Sequence, residues 1–105
     1  MEEITIGEVA AALNGTITGN PNVRAHDITH DSRQAGPGTI FAAIRGLTTD
    51  GHQFIDDVIR RGVAAVISEL PCPEDFQGNW INVSDTRSAM AIAASVINGN
   101  PSTKL

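Results

Sequence analysis

The sequence predicts an α/β fold, a small mixed β-sheet flanked by helices in one domain, and three observations carry that prediction. Two apolar runs of strand length, at 39–44 (TIFAAI) and 63–67 (VAAVI), are bounded by glycine or proline, as buried strands are. Three other stretches repeat their apolar residues at helical spacing. These segments follow one another as helix, strands, helix, strand, strand, helix, an order that suits helices packed against a mixed sheet. A chain of 105 residues, 41% apolar and 18% charged, is ordinary globular material for one modest core.

In chain order, Thr5-Ile6-Gly7-Glu8 has the spacing of a capping box, with Thr at the cap and Glu three residues on. Ile6, Val9, Ala10 and Leu13 then share one helical face, and Asn14-Gly15 stops the helix. Residues 16–18 read as a brief strand, 19–22 as a turn, and 23–28 as an extended stretch. Gly36-Pro37-Gly38 turns the chain into the strand at 39–44. Gly36, Gly38, Gly46 and Gly51 all read as turn residues with positive φ. Residues 52–61 predict a helix with Phe54, Ile55, Val58 and Ile59 on its apolar face, Arg60-Arg61 at its carbonyl end and Gly62 as a left-handed cap. The run at 63–67 predicts a strand buried on both faces. Residues 69–78, with two prolines, form a loop, 80–83 a further strand, and Ser84 or Asp85 caps the last helix. In that helix Ala89, Ile92, Ala93, Val96 and Ile97 form a stripe at helical spacing, and 98–101 (NGNP) ends it.

Bulk properties exclude several classes. The net charge of −5, with arginines scattered at 24, 33, 45, 60, 61 and 87, argues against a nucleic-acid footprint. Residues 4–14 resemble the first helix of a helix-turn-helix, but the strand-like 15–19 follows where a second helix is needed. No apolar run approaches the ~20 residues that span a bilayer, and the acidic start Met1-Glu2-Glu3 carries no export signal. The single cysteine, Cys72, lies between two prolines without His or Cys at ligand spacing, so it reads as a loop residue and fits a reducing cytoplasm. No metal site is expected.

The polar residues concentrate at the two ends of the strand 39–44. Before it stands Asp31-Ser32-Arg33, and after it stand Gly46, two threonines and Asp50-Gly51-His52. Loops held by a rigid strand are where binding groups sit. Ser32 has no His and Asp set out as for a nucleophile triad, so no catalytic residue is assigned. Asp31 and Arg33 read as partners that shape the loop, and His52 as a capping or packing residue. His26 reads as an ordinary strand residue.

Taken together, DSRxxxPGxIFxAxxGxxxDGHxFI from Asp31, RRGVAAVI from Arg60, INVxDxR from Ile81 and NPSxxL from Asn100 resemble the N-terminal domain of the Mur ligases over essentially the whole chain. Asn100-Pro101-Ser102 points to the MurE branch, which extends UDP-N-acetylmuramoyl-L-alanyl-D-glutamate by one amino acid. The opening at 4–15 equally suits the MurF branch, which adds D-Ala-D-Ala. The resemblance implies a domain of an ATP-dependent ligase of peptidoglycan precursor synthesis that binds the UDP end of this substrate. It implies substrate contacts at His30, Ser32, Leu47, Thr48 and Thr49, with Asp31, Arg33, Gly46, Asp50 and His52 shaping the site. His30 stands where Leu or Val is common in the family. ATP and Mg2+ belong, by the same resemblance, to further domains of a longer enzyme. No GxxxxGK[ST] phosphate loop occurs in these residues, so they are expected to be inactive alone.

Overall fold

The computed structural model describes residues 4–43, 55–72, 74, 76 and 78–97. Strand β1 (Ile4–Thr5) runs into helix α1 (Ile6–Leu13), which starts as the capping box predicts. The Thr5 hydroxyl accepts from the Glu8 N–H at 3.2 Å, and the Thr5 N–H donates to Glu8 Oε2 at 3.0 Å. At the other end Asn14, not Gly15, takes the left-handed conformation (φ 57°). Asn14 N donates to the Ala11 carbonyl and Gly15 N to that of Ala10, the paired bonds of a Schellman stop.

Strand β2 (Thr16–Thr18) follows, and a turn at 19–22 leads to β3 (Arg24–Ala25) and β4 (Asp27–Thr29). The expected single extended stretch is therefore broken at His26, because its two halves serve different sheets. Arg24–Ala25 pairs antiparallel with β1, whereas Asp27–Thr29 pairs parallel with β5 (Thr39–Ala42). His26 thus sits at a junction and not inside a strand. Its N–H donates to the Gly38 carbonyl at 2.8 Å, and Gly38 does have the positive φ expected of it, +80°. Gly36 does not; the positive-φ glycines among the described residues are Gly19, Gly38 and Gly62.

Helix α2 (Ile55–Arg60) closes in a second Schellman stop, with Gly62 at φ +83°. Gly62 N donates to the Ile59 carbonyl and Val63 N to that of Val58. Val63 is consumed by the cap, which is why β6 runs Ala65–Ser68, later than its apolar run suggests. Strand β7 (Trp80–Asn82) and helix α3 (Thr86–Ile97) complete the chain, and Asp85 is the residue that caps α3.

The main sheet has the order β2-β7-β6-β5-β4; β4 to β7 are parallel and β2 is antiparallel at one edge. Side chains alternate across it as the period of two requires. Ile40, Ala65, Ile67 and Ile81 face Ile6, Val9 and Ala10 of α1 and Ala89 and Ala93 of α3. Phe41, Val66 and Trp80 face the other way, onto Val58 of α2 and Ala35. The fold is therefore helix layer, sheet, helix layer. Phe41, Val66 and Ile67 are all fully buried, as interior strands demand.

Candidate functional site

Parallel pairing of β4 through β7 brings their carboxyl ends to one edge of the sheet, where ligands bind in open α/β folds. Four segments leave there: the turn after Thr29, the chain after Ala43, the loop after Ser68 and the loop after Asn82.

The turn after Thr29 is built by its own polar groups. Thr29, a buried polar residue at the end of β4, accepts from the Asp31 N–H at 3.0 Å through its hydroxyl. The Asp31 carboxylate then accepts three bonds from Arg33, at 2.9 Å from the backbone N–H, 3.1 Å from Nε and 3.0 Å from Nη2. A 3-10 turn, Ser32–Gln34, results, closed by Gln34 N donating to the Asp31 carbonyl at 3.0 Å. The guanidinium beside it, and then the Arg33 N–H, hold the Asp31 carboxyl below the ordinary carboxylate range, and Asp31 raises Arg33 in return. The Arg33 side chain is 84% exposed, so this ion pair contributes little to stability, and its effect is to fix the turn. These bonds hold Asp31 and Arg33 to each other within the turn.

The other rim is closed to anions. Glu69 Oε2 accepts from Thr86 N at 2.9 Å, and Asp85 Oδ1 accepts from Arg87 N at 3.1 Å and Ser88 N at 3.3 Å. Ala89 N donates to the Asp85 carbonyl. The first N–H groups of α3 are thus taken by the chain's own oxygens, and a phosphate has no seat on that dipole. Leu70 is pinned beside them by Trp80 Nε1 and Asn82 Nδ2, which donate to its carbonyl at 2.9 and 2.8 Å.

Of the residues expected to contact or shape a ligand, the fold brings His30, Asp31, Ser32 and Arg33 together in this turn, with His30 exposed. Ser32 opens the 3-10 turn. Gly46, Leu47, Thr48, Thr49, Asp50 and His52 lie outside the described residues. Ala43, the last described residue before them, leaves β5 with its N–H on the Ile67 carbonyl at 2.9 Å. Two residues that sequence reasoning left aside also belong to this end: Gln34, whose Oε1 accepts from the Thr29 hydroxyl at 3.4 Å, and Arg61, whose Nη1 donates to the Arg33 carbonyl at 3.4 Å. Neither carries a sequence signal, since both partners are backbone or a distant hydroxyl.

Among the described residues no group of three or more His, Cys, Asp or Glu is placed to hold a metal ion. Cys72 packs against the Phe41 side of the core, and burial pushes its thiol up, away from thiolate chemistry. No helix among the described residues is long and apolar enough to cross a membrane.

Helices on both faces of a mostly parallel sheet, with β2 antiparallel at one edge, place this chain among the three-layer α/β domains. The chain belongs to the Mur ligase family: residues 24–97 match the family described as "Mur ligase family, catalytic domain". It is 37% identical to the UDP-N-acetylmuramoyl-L-alanyl-D-glutamate--2,6-diaminopimelate ligase of Chlorobaculum tepidum, covering 100% of this chain and 23% of that protein. The ligase of the same name from Alkaliphilus metalliredigens is also 37% identical, over 85% of this chain and 18% of its own length. Among solved structures, a crystal structure of MurF from Acinetobacter baumannii superposes with a TM-score of 0.82 at 27% identity, covering 100% of this chain and 23% of that one. The chain thus spans about a fifth of the length of the curated relatives it matches.

Proposed function

We propose that this chain is one domain of a longer, MurE-type ATP-dependent ligase, and that it holds the UDP end of UDP-N-acetylmuramoyl-L-alanyl-D-glutamate during peptidoglycan precursor synthesis in the cytoplasm. The observation that carries this reading is the parallel pairing of β4 and β5. It makes the His30–Arg33 turn and the chain that continues toward Leu47, Thr48 and Thr49 leave adjacent strands at the same edge. In this reading Leu47 supplies an apolar wall for uracil, and Ser32, Thr48 and Thr49 supply hydroxyls and N–H groups for the diphosphate. His30 contributes through its backbone, and Asp31 and Arg33 keep the turn in shape. Gly46, Asp50 and His52 shape the second loop. ATP and Mg2+ act on the rest of the ligase: these residues hold no phosphate loop, and no step of the ligation is assigned to them.

A second reading, the MurF branch, is favoured by the solved structures that superpose on this chain, several of which are MurF. The two differ by the amino acid already attached to the muramoyl peptide. Titration of the labelled chain with the UDP-N-acetylmuramoyl dipeptide, and separately with the tripeptide, tests both by NMR. The proposal expects saturable shifts centred on residues 30–33 and 47–49, with Ser32→Ala weakening them. Shifts confined to other parts of the chain at saturating ligand would refute the site.

A further inference from the structure

The carboxyl-terminal half of helix α2 packs on residues 33–37, the segment that continues from the His30–Arg33 turn. Three contacts make that seat. Arg61 Nη1 donates to the Arg33 carbonyl at 3.4 Å, and the same guanidinium is held by Asp57, Nε to Oδ2 at 3.2 Å, one turn back along the helix. Ala35 is buried in the same apolar cluster as Val58. A Cβ placed on Gly62 would lie 3.7 Å from Pro37 Cγ. Residues 33–37 thus rest on the carboxyl-terminal half of α2 at three successive points.

We propose that Arg61 is a positioning residue for substrate binding: through the Arg33 carbonyl it fixes the Arg33–Gln34 peptide, and with it the turn that Ser32 opens, relative to α2. The inference rests on the function proposed above. The turn's internal bonds set its shape, since Asp31 grips Arg33 from within, but they do not set where the turn lies over the sheet. Among the described residues that is decided by the Thr29 hydroxyl at the end of β4, which accepts from the Asp31 N–H and donates to Gln34 Oε1, by the apolar contact of Ala35, and by the tie that Arg61 extends from the end of α2. The tie is long for an N–H···O bond and half exposed, so the effect is graded and not all-or-none. Arg61 touches no ligand in this account. It lowers the ordering that the ligand would otherwise have to impose on the turn.

The test uses the full 105-residue chain and the variants Arg61→Ala and Arg61→Lys, with Arg60→Ala on the same helix as a charge-matched control. Without ligand, hydrogen exchange at the Gln34 N–H, which closes the turn onto the Asp31 carbonyl, is read first. Arg61→Ala should speed it about threefold while leaving core amides such as Val66 unchanged, and Arg60→Ala should do neither. With UDP-N-acetylmuramoyl-L-Ala-D-Glu as the probe, Arg61→Ala should bind about three- to fivefold more weakly, Arg61→Lys should recover part of the loss, and melting temperature should hold. Unchanged exchange at Gln34 overturns the positioning role whatever the ligand does. Equal affinity of Arg61→Ala and the parent chain overturns it also. Ligand shifts away from residues 30–33 in the unsubstituted chain refute the proposed site instead, and are seen before any variant is made.

Discussion

Replacing Phe41 by alanine is the sharpest test of the fold. Phe41 is fully buried on an interior strand of the sheet, in register with Thr29 of β4 on one side and Val66 of β6 on the other. Its ring faces Val58, Val66, Trp80, Ala35 and Ala43. Phe-to-Ala changes in cores cost about 3–5 kcal/mol, the upper part of the range applying where the surroundings cannot collapse. Here they cannot. Two of the neighbours are alanines with nothing to extend into the void, the strands on both sides are fixed by ladder bonds, and Trp80 is held by its indole N–H on the Leu70 carbonyl at 2.9 Å. A loss of about 4 kcal/mol is therefore expected, against a total on the order of 5–15 kcal/mol for a domain of this size. Urea unfolding followed by Trp80 fluorescence measures it: the midpoint should fall with the slope unchanged. At about 4–8 °C per kcal/mol, the melting temperature should drop by at least 15 °C. Ile92→Ala, at a side chain 44% exposed on α3, should stay within about 0.5 kcal/mol. A loss below about 1 kcal/mol at Phe41 would falsify the assignment of β5 to the centre of the core.

Two further predictions concern polar groups. Thr86 is 1% exposed and its Oγ1 has no hydrogen-bond partner among the described residues, so Thr86→Val should stabilise the chain by about 1 kcal/mol. A thermal melt showing a loss of that size would mean that the hydroxyl is satisfied after all. The Asp31 carboxyl is held low in the folded chain, first by the Arg33 guanidinium, so its contribution is present above the ordinary carboxylate range and is lost as pH falls through its lowered value. The amide shifts of Arg33 and Gln34 should therefore titrate together below the ordinary carboxylate range, and those of Arg33→Gln at higher pH. Coincident titration of the two proteins would remove the ion pair from the account.

Much of this molecule is legible in local sequence, because the deciding interactions span a few residues. The capping box at Thr5 and Glu8, the left-handed stop at Gly62 and the unbroken burial of β5 and β6 each follow from side chains close in the chain. The motif from Asp31 to Phe54 likewise marks the family and the polar turn, since Asp31 and Arg33 find each other two residues apart. What local sequence does not decide is which partner each strand takes. The stretch around His26 reads as one strand, yet it serves two sheets, because pairing with β1 and with β5 is fixed by chain segments on either side of it. The same holds at the site. That β4 and β5 run parallel, that Glu69 closes the end of α3 17 residues away, and that Arg61 reaches a carbonyl 28 residues back are products of packing. Such contacts join a side chain to backbone, and backbone leaves no mark in a sequence. Sequence by itself therefore determined the elements and the local bonds of the Asp31–Arg33 turn. Only the tertiary structure decided that β4 to β7 end at one edge of the sheet, because that depends on strand direction, which is settled by the burial of both faces at once.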